Sequence, residues 1–446
     1  MTEWRKVKLG DICSIKSGKR LPKGADFSLY PTENKYIRAR DIKNGVINGE
    51  DLAFISQEVK EKISKYIINT NDVIVTIAGT IGEVAFVTSQ YDGVNLTENA
   101  IRLTDFNHDV NSKYVFYTLR SNDYYMHMQK IAGGAAQPKM GIYKVEAISI
   151  TLPSIDTQNR IVDILSRYDA LIENYQRQIK LLEEASQRLY KEWFVDLRFP
   201  GHQSTPIIND LPQSWQKKKL GEIIAYEIGG GWGFDDNSNK DTVPAYVIRG
   251  TDMEGLQNGS FSSLPFRYHL EGNFKSRKLE PCDIIFEVSG GSKTEGVAKT
   301  FLIQNSLLNQ FNAPVICASF CKLIRLKSPE TAYYVYDTLK YWRASGVTTQ
   351  YDKRSASSIV NYRWKDFLEQ QEILIPNDNI LSKYLDSSKQ IHSRMSNLAI
   401  QIRNLSEARD RLLPKLMSAE IEVLPIKSNR HVLSRHILME KNIRQR

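Results

Sequence analysis

Two stretches of the chain place an apolar or small residue at alternating steps of four and three. The first runs Ile161, Leu165, Tyr168, Ile172, Tyr175, Ile179, Leu182, Ser186, Leu189 and Trp193. The second runs Tyr384, Ser388, Ile391, Met395, Leu398, Ile402, Leu405, Arg409, Leu412 and Leu416, each 223 positions later. Spacing of this kind draws one stripe along a helix and predicts two long helices, each with a heptad seam. Two equal seams in one chain bury each other most simply as an antiparallel coiled coil. From Ile161 to Trp193 is 33 residues, or roughly 50 Å at 1.5 Å per residue. Ser186 and Arg409 interrupt both seams at the same place, as a point where the pair opens or meets another subunit, or as a packing irregularity. Pro414 is expected to kink or tighten the second helix. The 199–202 segment, Phe-Pro-Gly-His, ends the first, and Pro206 with Pro212 marks a linker.

The segments before the helices have a different pattern, with short β-branched runs closed by glycine. Residues 72–77 and 283–288 are predicted strands, and 115–128 and 331–344 are predicted aromatic-rich helices. These segments are copies of each other. Trp4, Leu9, Gly10, Asp11 and Ile12 return as Trp215, Leu220, Gly221, Glu222 and Ile223, an offset of 211. Ile37-Arg38 and Asp41-Ile42 return as Ile248-Arg249 and Asp252-Met253, and Asp72-Val73-Ile74 as Asp283-Ile284-Ile285. The offset is 213 for Gly133 and Gln137 against Gly346 and Gln350, and 223 for Pro153 against Pro376. One-way drift with order preserved means one fold with small insertions, present twice. The expected class is α+β: two mixed α/β globules separated by two long helices that form an antiparallel coiled coil. The expected division is 1–155, a globule; 156–198, a helix; 199–377, a globule; 378–424, a helix; and 425–446, a basic tail.

Composition narrows the function. In 446 residues, 60 Lys and Arg face 51 Asp and Glu, a net charge of +9, which permits a polyanionic partner without requiring one. No apolar run reaches the length of a membrane span, and the opening residues have no apolar signal core. The expectation is therefore a soluble, cytoplasmic protein that does not engage a membrane. Four cysteines are too few for a disulfide framework, and none has zinc-site company. Cys317 and Cys321 are expected on one face of a single strand within 313–326, and all four as buried thiols.

Candidate chemistry is sparse. The chain has no phosphate-cradling GxxxxGK[ST] loop and no HExxH, and no Asp/Asn-Pro-Pro-Tyr/Phe segment of the kind amino-methyltransferases use on a flipped base. Its seven scattered histidines are expected to have no paired acid and to form no nucleophile or base constellation. No catalytic residue, no metal ligand and no cofactor site is expected in this chain. Gly229 to Gly233 is expected as a flexible or DNA-facing loop. What remains is a set of basic, glycine-containing loops at equivalent places in the two copies. They carry Lys19, Arg20, Arg38, Arg40, Lys43, Asn44, Gln137 and Lys139 in the first, and Arg249, Lys293, Gln350, Tyr351, Lys353 and Arg354 in the second. Lys and Arg neutralise phosphate, and Gln or Arg can bond base edges. Arg38, Arg249, Lys139 and Lys353 are expected on phosphates, and Gln137 and Gln350 on bases. For any one of these the alternative is a solvated surface charge.

Tandem globules opening Trp-x-x-x-x-Leu-Gly-Asp/Glu-Ile, each closed by a Leu/Ile-Pro strand and a heptad helix, resemble the specificity subunits of type I restriction-modification systems. The resemblance runs from Trp4 to about Val423 and rests on the ordered duplicate set of motifs. It implies that each globule is a target-recognition domain reading one half of a split, asymmetric site in double-stranded DNA. It further implies that the helices hold two methyltransferase subunits, with Ile161 to Leu189 and Ile391 to Leu412 of the two seams expected at the subunit or helix–helix interface. Two restriction/translocase subunits complete the assembly, and S-adenosylmethionine, ATP and Mg belong to those partners. A helix of about 50 Å matches roughly 14 base pairs, a sensible total for two short half-sites and an unread gap. Two other classes stay open: a stand-alone DNA methyltransferase or nuclease with its own recognition domains, and a coiled-coil scaffold that never touches DNA.

Overall fold

The computed structural model describes residues 4–49, 51–133, 138–238, 241–261, 264–290, 296–354 and 359–423. By its contacts the chain divides into two compact units. One holds residues 1–168 with those from 408 onward, and the other holds 169–407. Each unit contains one globule and part of both long helices.

In the first unit the strands Ser14–Ser17, Ala100–Thr104, Val73–Thr76 and Val84–Phe86 lie side by side in that order as an antiparallel sheet. Lys35–Ile37 pairs antiparallel with Ala53–Phe54 and parallel with Asn95–Leu96 in a second sheet. Arg5–Lys8 pairs with Ser149–Leu152, tying the start of the globule to its end. The helices Ser112–Arg120 (α1) and Asn122–Ala132 (α2) follow the sheet strands in sequence. Residues 115–128 are thus not one helix. Asn111 caps α1 by accepting from the Lys113 and Tyr114 amides, and extended backbone at Ser121 (ψ 149°) starts a new one. The helix Ile155–Tyr190 (α3) begins after the closing strand.

The second globule has the same topology. Its four-stranded sheet runs Ile224–Gly229, Cys321–Leu326, Ile284–Glu287, Thr300–Leu302. Thr242–Ile248 sits between antiparallel Phe266–Leu270 and parallel Val315–Cys317, and Gln216–Lys219 pairs with Glu372–Ile375. The helix Ala332–Ala344 (α4) stands where α1 stands in the first copy, and Asp378–Met417 (α5) follows the closing strand. The 313–326 run is two strands in two sheets. A turn, closed by the Cys321 amide donating to the Ala318 carbonyl at 2.8 Å, separates Cys317 from Cys321 and exposes Phe320. Both thiols are fully buried and Cys13 nearly so, while Cys282 is only half-buried. The proline pair at 206 and 212 frames a small hairpin, Ile207–Ile208 with Leu211–Pro212. Asn209 and Asp210 turn it with φ of 51° and 61°, the left-handed pair that a two-residue hairpin needs.

The predicted seams are buried as clusters. In the second unit Ile172 and Ile179 pack with Met395, Leu398 and Ile402, flanked by Tyr175, Leu182, Ile391 and Leu405. Partners 178 with 394, 186 with 392 and 190 with 384 show the helices running antiparallel there. In the first unit Ile161 and Leu165 join Leu413 and Leu416 in one core with Val73, Ile101, Tyr114 and Leu119. Each such side chain contributes about 1.5–3 kcal/mol over exposure.

Past Ser186 the stripe moves by one residue, and past Arg409 Leu413 replaces Leu412 while Leu416 keeps its predicted place. Tyr190 and Phe194 are buried while Leu189 is half-buried, and likewise Leu413 is buried while Leu412 is half-buried. In the first helix steps of four, 186 to 190 to 194, replace the alternation, and in the second one step of four, 409 to 413, precedes a step of three to 416. At the end of α3 the π-helical turn Lys191–Val195 takes up the change. Pro414 does not end α5, which continues to Met417.

Candidate nucleic-acid interface

The first basic loop starts at a glycine that cannot be replaced freely. Gly18 donates its amide to the Ala100 carbonyl, and a Cβ there would overlap the carbonyl oxygens of Leu96 and Thr97. Gly230 is its counterpart: it donates to the Cys321 carbonyl, and a Cβ would overlap the oxygens of Cys317 and Ala318. The offset of 212 departs by one from the 211 found on either side of it in sequence, so the pair emerges only in the fold. Gly230 is a packed position, and the expectation of a flexible Gly229 to Gly233 loop does not hold at that residue. Just beyond it, the guanidinium of Arg267 lies 4.7 Å from the ring centre of Trp232, which is 40% exposed. Neither residue stood out in the sequence, because nothing there joins 232 to 267.

The second pair of loops repeats to the level of single hydrogen bonds. The Arg38 amide and Nε donate to Asp41 Oδ2 at 2.8 and 2.9 Å, and Nη2 donates to Oδ1 at 2.8 Å. Arg249 does the same to Asp252 at 2.9, 2.8 and 2.7 Å. Asp41 and Asp252 are buried, and Arg38 is only 19% exposed. Burial pulls the Arg38 guanidinium down, but hydrogen bonding and charge from Asp41, then Asp51, push its pKa above the ordinary arginine value. The Asp252 hydrogen bond raises Arg249 in the same direction against a smaller burial effect. These arginines hold a turn together from inside.

Most of the remaining candidates among the described residues are exposed. Lys19 lies over the Tyr66 ring at 5.5 Å, Arg20 faces Glu98 at 3.4 Å, and Arg40 donates to Asp51 at 3.1 Å. Lys43 and Asn44 form an exposed corner, with Asn44 at φ 56°. Lys139 is exposed and bridges to Ala78, while Gln137 and Lys293 lie outside the described residues. In the second copy Gln350, Lys353 and Arg354 are exposed, the last two on the strand Asp352–Arg354 that pairs with Val360–Tyr362. Tyr351 is only 4% exposed and packs on Phe367 at 5.1 Å, which makes it core rather than surface. Burial raises the Asp352 carboxyl, with Arg354 and Arg343 acting against it. Among the described residues no group of three or more His, Cys, Asp or Glu side chains could hold a metal ion, and no helix is long and apolar enough to cross a membrane.

Comparison with known proteins agrees with this duplicated geometry. The model of the type I restriction modification DNA specificity domain matches residues 1–184. The type I restriction enzyme MjaIX specificity subunit of Methanocaldococcus jannaschii is 24% identical over 447 residues, covering 94% of each chain. The chain is similar to type I restriction enzyme specificity subunits along nearly its whole length. A relative from Haemophilus influenzae, the type I restriction enzyme HindI specificity subunit, is 26% identical over 204 residues, 44% of this chain and 42% of that one. The crystal structure of the type I restriction-modification system S subunit from M. genitalium shares the fold, with a TM-score of 0.52 at 14% identity over 95% of this chain and 97% of that one. Specificity subunits of type I restriction-modification systems are generally non-catalytic.

Proposed function

We propose that this chain is a type I restriction-modification specificity subunit that reads a bipartite, asymmetric site in double-stranded DNA. Residues 1–155 and 199–377 each recognise one half, and the helical segments 156–198 and 378–424 scaffold two methyltransferase and two restriction/translocase subunits. The observation that carries the reading is the duplicated globule whose glycine-anchored turn (Gly18, Gly230) and arginine-clamped turn (Arg38, Arg249) recur while their exposed side chains differ. Repeated backbone offers the same frame twice. Divergent side chains on that frame mean different bases in each half. Lys19, Arg20, Arg40, Lys43, Asn44 and Lys139 would contact DNA in one copy and Lys353, Arg354 and Gln350 in the other, with Arg38 and Arg249 assigned to the internal clamp. Methylation, cleavage and ATP hydrolysis, with S-adenosylmethionine, ATP and Mg, belong to the partners in this reading. The test is reconstitution with the methyltransferase subunits and genome-wide methylation mapping. A split motif with adenine methylated on both strands is expected from the complex, and no turnover of labelled S-adenosylmethionine from the isolated chain. Stoichiometric turnover by the isolated chain would sink the proposal.

A further inference from the structure

Asp337 is completely buried in α4 of the second unit and accepts four side-chain hydrogen bonds. Ser186 Oγ of α3 donates to Oδ1 at 2.9 Å, and His392 Nε2 of α5 lies 2.8 Å from the same oxygen. Tyr384 OH and Ser388 Oγ of α5 both donate to Oδ2 at 2.7 Å. One carboxylate of the globule is therefore held by both long helices. Burial works against its charge, but the charge and hydrogen bond of His392 with the bonds from Ser388 and Tyr384 outweigh it and keep the carboxyl below its ordinary pKa. One turn along α4, Lys340 pairs with Glu183 of α3, so a second ionic contact flanks the first.

The first unit builds the same place from other chemistry. Tyr114 and Tyr334 each donate their hydroxyl to a carbonyl of the closing strand, Thr151 and Leu374, and Thr118 and Thr338 each donate to the tyrosine carbonyl four residues back. That register puts Tyr117 where Asp337 stands. On the helices, the positions of Tyr384 and Ser388 are taken by Ile161 and Leu165. Tyr117, Ile161 and Leu165 are fully buried. The interruption at Ser186 thus has a cause: a small hydroxyl residue is what reaches Asp337, and Arg409 stands at the matching position of the other seam.

We propose that Asp337 is a positioning residue, fixing the pose of the second globule on its helices and thereby governing recognition of one half of the DNA site. A saturated buried carboxylate accepts a narrow range of donor directions, whereas an apolar contact slides and repacks at small cost. Separating α4 from either helix would strand a charge away from water. The proposal rests on the split-site reading above, so its test has two arms. Hydrogen–deuterium exchange on the full chain compares wild type with Asp337→Asn, which keeps shape and loses charge. Exchange over 332–344 and 378–392 is expected to rise about tenfold or more, as loss of charge-assisted bonds implies, with 112–120 unchanged. Methylation mapping of the reconstituted complex is expected to show bases of one half relaxed and the other half retained. His392→Asn and Ser388→Ala, each removing one donor, should shift both readouts the same way to a smaller extent, and they carry the test if Asp337→Asn does not fold. Unchanged exchange, or two half-sites that relax together or not at all, would overturn the proposal. A wild-type complex without a split motif would overturn the functional reading only, and the exchange comparison would still decide the contact.

Discussion

Replacing Arg38 by alanine separates two roles that one arginine can have in a DNA-binding protein. As a phosphate ligand, its loss would weaken binding and reduce the slope of log affinity against log salt by about one. The structure predicts a different outcome. Removal of the guanidinium takes away the bonds from Nε and Nη2 to Asp41 and leaves the amide bond of 2.8 Å and the more distant Arg40 Nε, 3.9 Å away, on a carboxylate that is 5% exposed. Breaking a buried pair from one side costs about 3–5 kcal/mol, and the partial exposure of Arg38 puts this case near the lower end. For a unit of roughly 150–250 residues, about 3 kcal/mol lowers Tm by roughly 6–12 °C. The expected result is a clear loss of thermal stability with an unchanged salt slope in DNA binding by the reconstituted complex. Arg20→Ala is the matched control: its side chain is 75% exposed, so the melt should stay put while the salt slope falls. Arg249→Ala should follow Arg38→Ala with a smaller shift, because Arg249 is 38% exposed. An Arg38→Ala protein that melts like wild type but loses one unit of salt slope would refute the clamp.

Four further outcomes follow from the geometry. Gly18→Ala and Gly230→Ala should each destabilise by about 1–3 kcal/mol through overlap with the carbonyls beneath them; a wild-type urea midpoint for either would count against the close approach. Burial pushes the Cys13 and Cys317 thiols up to about 12, and Cys321 well above the usual range, so native labelling with a maleimide should modify Cys282 first and leave those three untouched until unfolding. The Asp337 carboxyl sits below its ordinary value of 3.8, so its stabilisation is full above that value and is lost as pH falls through the folded value; Asp337→Asn should flatten the acid limb of the stability curve, and an unaltered limb would argue against the charged contact. Four residues inserted after Asn174 lengthen α3 by about 6 Å and turn it by about 40°, whereas two turn it by about 200°; methylation mapping should show a gap longer by one or two base pairs in the first variant and no modification by the second, and an active first variant with an unchanged gap would dismiss the helix as a measure of the site.

Periodicity and repetition carried much of the fold in the sequence alone. A heptad stripe is a local property, fixed by 3.6 residues per turn, so Ile161, Ile172, Ile179, Leu398 and Ile402 declare their burial without reference to their partners. An ordered duplicate likewise needs no structure to be seen, and the strands at 73–76 and 284–287 lie where matching β-branched runs placed them. The tertiary structure decided whatever depended on a distant partner. Arg38 and Lys19 look alike in sequence as basic loop residues, yet only Arg38 has a buried carboxylate within its reach. Gly230 looked like one of several free glycines until the carbonyls of Cys317 and Ala318 came to lie against it. Cys317 and Cys321 fit a single alternating strand, because alternation does not reveal a turn that sends each half to a different sheet. Ser186 looked like a flaw in a stripe, and its meaning lay 151 positions away at Asp337. Sequence spacing reports which face of an element is apolar. Only the packed fold reports which charges, oxygens and backbone carbonyls that face will meet.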